Sequence, residues 1–274
     1  MRRVNGRRCG GMASWAVVTI VLAGTVLTAC GSSPVASEES ARVPQAHQFS
    51  GLRSVGPLFP PGISVHTCTA SVIASRTGDL LITAAHCVFG TGVGWRFAPG
   101  YRDGVEPYGS WNVVGLYGSP AWLKSTLAAS DYAIVKVASR KLRGQEQTLQ
   151  DVVGANRLAT APARGAIVTV PAYAMGSHDD PVTCTVRVSY QGVFPSFSCN
   201  PYEDGTSGAP WLERTRRGIA VVGVIGGLHQ GGCYPWTSYS AAFDSTTLET
   251  AAKAAGSAPA RFPLASSDGC SVGP

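Results

Sequence analysis

The sequence predicts an all-β chain, a barrel or sandwich rather than alternating βαβ units, and three observations predict it. Short β-branched runs recur at residues 70–73, 80–83, 111–116, 132–137, 166–170, 183–188 and 219–225. Gly and Pro, 33 and 18 of the 274 residues, punctuate the gaps between them, as turns between strands require. Only residues 244–255 read as clear helix, with Thr246 and Glu249 placed for a capping box and Gly256 just past the end. A chain that is 45% apolar and 14% charged can bury a core, which excludes an unfolded polypeptide.

The N-terminus is an address. Arg2, Arg3, Arg7 and Arg8 precede an apolar run at 15–27. That run is too short to cross about 30 Å of hydrocarbon but right for the core of a signal peptide. It ends in Leu27-Thr28-Ala29-Cys30, which resembles a bacterial lipobox and makes Cys30 the lipidated first residue of the mature chain. The formal charge of +6 therefore overstates the basicity of the exported protein. Residues 1–29 hold four basic residues and no acid, and their removal leaves 18 basic against 16 acidic residues. A net of +2 gives no basis for nucleic-acid binding. Residues 31–54, rich in Ser, Ala, Pro and charge, read with Cys30 as a flexible tether, and one folded unit starts at about Val55.

Export also decides how the cysteines are read, because oxidising compartments permit disulfides. Beyond Cys9 and Cys30 there are six: Cys68, Cys87, Cys184, Cys199, Cys233 and Cys270. Six allow fifteen pairings, and spacing alone does not choose among them. There is no paired CxxC with histidine partners, so no metal site is predicted.

Three local patterns carry chemistry. Thr83-Ala84-Ala85-His86-Cys87 follows an apolar strand. Ser130-Asp131-Tyr132 opens another, and Gly205-Thr206-Ser207-Gly208-Ala209-Pro210 is a tight, glycine-rich turn. A hydroxyl is a weak nucleophile at neutral pH and needs a base within hydrogen-bond reach. The base in turn needs a carboxylate to fix its tautomer and stabilise its cation. Glycines beside the serine let backbone N–H groups converge on the oxygen that becomes negative during acyl transfer. The other aspartates between His86 and Ser207 (Asp103, Asp151, Asp179, Asp180, Asp204) do not head an apolar strand as Asp131 does. His47, His66, His178 and His229 have no comparable neighbourhood.

With these motifs, and with VGPLF, CTASVIAS, SDYAIVKV and VVGVIGG, the chain from about 55 to 243 resembles the chymotrypsin-like serine proteases, and is closer to their V8-like and actinobacterial branch than to the digestive enzymes. The resemblance implies two six-stranded antiparallel Greek-key barrels, at about 55–155 and 160–245, with the active site in the cleft between them and the short helix after them. It implies a peptidase domain over 55–270 in which His86 is the general base, Asp131 its orienting partner and Ser207 the nucleophile. The amides of Gly205 and Ser207 would form the oxyanion hole. Relatives bridge the places held by Cys68 and Cys87. Cys184 with Cys199 would close the loop before the nucleophile, and Cys233 with Cys270 would staple the tail.

The expected protein is thus an exported serine endopeptidase acting on polypeptides through an acyl-enzyme. It is expected to be a monomer, lipid-anchored at Cys30 or secreted, with no cofactor, no metal and no nucleic-acid partner. The alternative is a catalytically weak surface protein that keeps the protease fold as a binding module, and an esterase with the same residues is a third reading. Departures from the pattern limit specificity. Thr206 stands where digestive relatives carry an Asp that pairs with a freed N-terminus, Pro201 where trypsin-like enzymes carry a pocket Asp, and Ile225 where Glu-specific ones carry a His.

Overall fold

The strand Val55–Phe59, VGPLF, buries all five of its residues, Pro57 included. A strand buried on both faces gives no apolar–polar alternation. It pairs antiparallel with Cys68–Val72 on one side and with Arg96–Phe97 on the other. Leu80–Thr83, Ala133–Val137 and Trp111–Gly118 complete a closed six-stranded barrel, antiparallel throughout. Closure leaves no free edge. Its interior is filled by Leu58, Val72, Leu81, Phe97, Trp111 and Val135, among others. The computed structural model describes residues 42–142, 144–175 and 180–270. The expected signal peptide 1–29, Cys30 and the first part of the tether lie outside the described residues.

The second half is built from two sheets. Ile167–Ala172, Val182–Arg187, Pro210–Thr215 and Gly218–Val224 form an antiparallel core, and the short Arg157–Leu158 runs parallel to the last of these. Ser189–Gln191, Phe194–Ser198 and Thr237–Tyr239 make a second, three-stranded sheet. Between them lies an apolar core around Val168, Val170, Phe197 and Trp211. Phe197 meets Trp211 edge-on with ring centroids 5.0 Å apart, a geometry that aligns the positive ring edge with the negative ring face.

Two boundaries differ from the expectation. The tether does not run to residue 54, because His47–Gln48 adds an antiparallel edge strand to Val182–Arg187 in the second half. Ala46 N–H also donates to the Asn200 carbonyl at 2.7 Å, and Asn200 N–H to that of Pro44 at 2.9 Å. Both side chains of the edge strand face solvent, so only backbone pairing fixes this segment and no hydrophobic period announces it. The helix is Ser245–Ala254, and its capping box is Asp244 with Thr247 rather than Thr246 with Glu249. Asp244 is extended and its carboxylate accepts the Thr247 N–H at 3.1 Å, the geometry an N-cap needs.

Candidate active site

His86 sits in a single 3-10 turn, Ala85–Cys87, directly after Leu80–Thr83. Ala84 and Ala85 are fully buried, and Cys87 is bonded to Cys68 across the barrel wall. Small buried alanines and a covalent tie leave the turn little room to shift. Asp131 follows a second 3-10 turn, Ala128–Ser130, at the head of Ala133–Val137. Its carboxylate is 1% exposed and accepts three N–H groups. Oδ1 takes the His86 backbone N–H at 2.9 Å, and Oδ2 takes His86 Nδ1 and the Gly227 N–H, each at 2.8 Å. An ionised carboxylate only accepts, so the imidazole proton resides on Nδ1 and Nε2 keeps its lone pair. That nitrogen lies 3.9 Å from the Cys87 sulfur.

Ser207 is half-buried in the turn between Gly205 and Ala209, and lines the same cleft as His86. The hydrogen bonds among the described residues include none from Ser207 Oγ to His86. In an unliganded site such a contact often tightens only when substrate arrives. The turn itself is closely determined. Gly205 and Gly208 have φ of +92° and +79°, open to glycine and strained for other residues. A Cβ on Gly208 would stand 2.2 Å from the Thr69 carbonyl oxygen. Thr206 N–H and Oγ1 both donate to the Glu203 carbonyl, so this residue serves the turn locally. Among the described residues the N–H groups of Gly205 and Ser207 donate to no protein acceptor, the state that donors reserved for an oxyanion require.

Thr69 is the residue sequence reasoning missed. It lies in the first barrel, and its N–H donates to the Ser207 carbonyl at 2.8 Å while its Oγ1 donates to that of Gly205 at 3.1 Å. Thr83, just before the His86 turn, donates to the Thr69 carbonyl at 2.7 Å. One strand pair of the first half therefore fastens the Ser207 turn of the second. An isolated Thr in a β-branched run carries no signal of that role.

The remaining cysteines pair as Cys184–Cys199 and Cys233–Cys270. Sulfur clusters beside His86 and His229 are thus disulfides and offer no thiolate to a metal. The cleft holds about 730 Å³, and Ile63, Phe89, Tyr234 and Leu264 are among the side chains that line it. Glu203, Asp204 and Asp268 line it, and among the described residues no Lys or Arg does. Tyr202 also lines the cleft; it is buried and donates to the Val170 carbonyl at 2.5 Å, and burial pushes its phenol far above the ordinary range.

No family model matches the chain, and no curated protein matches it in sequence. Solved structures do. The protease Anisep from Arthrobacter nicotinovorans superposes with a TM-score of 0.66 at 23% identity, over 77% of this chain and 100% of that one. The thermostable serine protease AL20 from an extremophilic microorganism gives 0.63 at 23% identity, over 74% and 96%. Human heparin binding protein gives 0.60 at 13% identity, over 80% and 99%. At such identities the likeness is one of fold, and that fold is the chymotrypsin-like two-barrel architecture.

Proposed function

We propose that this chain is a serine endopeptidase, exported and held at the outer face of the membrane through Cys30, that hydrolyses peptide bonds by way of an acyl-enzyme. One observation carries the reading: a buried carboxylate fixes His86 with its free Nε2 lone pair in the cleft that also holds Ser207 and two unpartnered amides. In the reaction Ser207 Oγ attacks the substrate carbonyl as its proton passes to His86 Nε2. Asp131 stabilises the resulting imidazolium without taking the proton. The carbonyl oxygen, now negative, receives the N–H groups of Gly205 and Ser207. His86 then returns the proton to the leaving amine, and a water repeats the sequence on the ester.

The fold it shares with Anisep and AL20, both named proteases, supports this reading, as do three disulfides that suit an oxidising compartment. The same fold occurs in a protein named for heparin binding, so fold alone does not separate peptidase from binding module. Chemistry does. A fluorophosphonate reagent is expected to label the wild type at Ser207, and Ser207→Ala to remove both label and casein hydrolysis while circular dichroism stays unchanged. Loss of the nucleophile in a triad enzyme costs on the order of 10⁶ in kcat. A folded Ser207→Ala protein that keeps about a tenth of wild-type activity overturns the proposal. Acidic side chains are poor candidates for the scissile position, given three carboxylates and no Lys or Arg among the described residues that line the cleft.

A further inference from the structure

The chain does not end at the helix. After Ala254 it returns along the first barrel: Ala260 N–H donates to the Leu116 carbonyl at 2.8 Å, and Phe262 exchanges two backbone hydrogen bonds with Gly90, at 2.8 and 3.0 Å. Phe262 itself is buried, and its ring would abut a Cβ on Gly118. The segment then crosses to the second half. Ser266 meets Thr126 of the first half through its hydroxyl at 3.1 Å, and its carbonyl accepts Gln230 Nε2 of the second at 2.5 Å. The Asp268 carbonyl lies 3.0 Å from His229 Nδ1, and Cys270 is bonded to Cys233.

These anchors have a common location. Gly90 lies four residues after His86, Thr126 five before Asp131, and Gln230 three after the Gly227 that donates to Asp131. A segment tied to all of them spans the junction of the two halves beside the His86–Asp131 pair. Between its ties, Leu264, Ala265 and Asp268 line the cleft. Leu264 is 74% exposed, the highest fraction among the large apolar side chains described. Ile63, Phe89 and Tyr234 line the same cleft and are exposed too, and a group of apolar side chains left in water at a cleft marks a contact surface.

We propose that residues 262–270 form an end stop of the substrate cleft, with Leu264 as its contact to the peptide. The stop limits how many residues the site accepts on that side of the scissile bond, and it selects an apolar side chain at the position that meets Leu264. Leu264 is a specificity residue here, not a catalytic one. The inference rests on the serine peptidase reading for its consequence, but the stop itself is a statement about peptide binding.

The test is a ladder of peptides around one site cleaved in casein, extended residue by residue at either end. For the wild type, kcat/KM is expected to fall about tenfold once the peptide passes a set length at one end only, a penalty of the size that one misfitting group imposes. Two variants release the stop: full-length Cys233→Ser/Cys270→Ser, and a chain lacking residues 263–274 that also carries Cys233→Ser. Each is expected to shrink that fall to under about threefold, and Leu264→Ala to lower the preference for a facing Leu over Ala by about fivefold. Kd of the same ladder on Ser207→Ala protein repeats the measurement without turnover. A length profile equal at both ends, or one that neither variant changes, overturns the end stop even where Ser207 labels normally. An asymmetric Kd ladder on a protein that never labels retains the stop and removes the peptidase reading instead.

Discussion

Replacing Asp131 by Asn changes one atom and separates two consequences that can be measured apart. The carboxylate accepts three N–H donors, from the His86 backbone, His86 Nδ1 and Gly227, and is 1% exposed. An amide offers one oxygen and one NH₂ to the same three. With its oxygen toward the ring and Gly227, its NH₂ faces the His86 backbone N–H, and both groups lose a partner. With the oxygen toward the His86 backbone, the NH₂ donates to Nδ1 and only the Gly227 N–H is stranded. The second arrangement is favoured by one buried orphan, and it forces the ring proton onto Nε2, where the base must be free. Stability is expected to fall by about 1–3 kcal/mol for the stranded amide, a drop of roughly 2–12 °C in Tm for a domain of this size. Activity is expected to fall by ~10⁴ through the wrong tautomer. Thermal melts, kcat on a casein-derived peptide and ¹⁵N shifts of the His86 ring read the three effects. A variant within about tenfold of wild-type kcat whose ring proton has nonetheless moved to Nε2 refutes the link from tautomer to rate.

Gly208→Ala is expected to cost about 2–5 kcal/mol, combining the left-handed penalty with overpacking, because its Cβ would meet Thr83 Oγ1 and the Thr69 carbonyl at 2.1 and 2.2 Å. Gly62→Ala, equally left-handed but open, is expected to cost only ~1–2 kcal/mol, and equal urea midpoints for the two would refute the close approach. Burial raises the phenols of Tyr173 and Tyr202 well above their ordinary range. Above about pH 10 the unfolded chain sheds these protons and the folded one keeps them, so stability falls as pH rises, by ~1.4 kcal/mol per unit for each. Tyr173→Phe/Tyr202→Phe should flatten that alkaline slope in denaturant titrations. Cys30→Ser is expected to move the protein from membranes to medium. The described chain begins beside His47–Gln48, which is docked on the second half. Proximity labelling of the wild type from a lipid headgroup should therefore favour the 44–49 edge.

What the sequence made legible were features whose cause is local. Strands such as 80–83 and 133–137 announce themselves through β-branched runs, and His86, Asp131 and Ser207 each sit in a short local pattern, the three of which together point to acyl-transfer chemistry. Residues stayed silent where the cause is distant in the chain. Arg96–Phe97 and Arg157–Leu158 are two residues long and are strands only because a partner is presented to them. Thr69 reads as one more strand threonine until the fold brings it to the carbonyls of Gly205 and Ser207. The tail from 262 to 270 has no period at all, since its order comes from two backbone bonds to Gly90, single contacts to Thr126, His229 and Gln230, and one disulfide.

That division has a physical basis. The reacting groups must satisfy bond-scale constraints on hydrogen bonding and backbone conformation, and only a few residue types meet them, so they leave motifs. A wall of the cleft needs only bulk at the right place, which many sequences supply. Here the wall is held by backbone pairing, which is blind to side-chain identity, and by one covalent cross-link whose partners lie 37 residues apart. If residues 262–270 act as the proposed end stop, changes at 263–269 are expected to alter selectivity while His86, Asp131 and Ser207 stay as they are. On the proposed reading, the chemistry is written in the motifs and the limit on substrate length in the return of the tail.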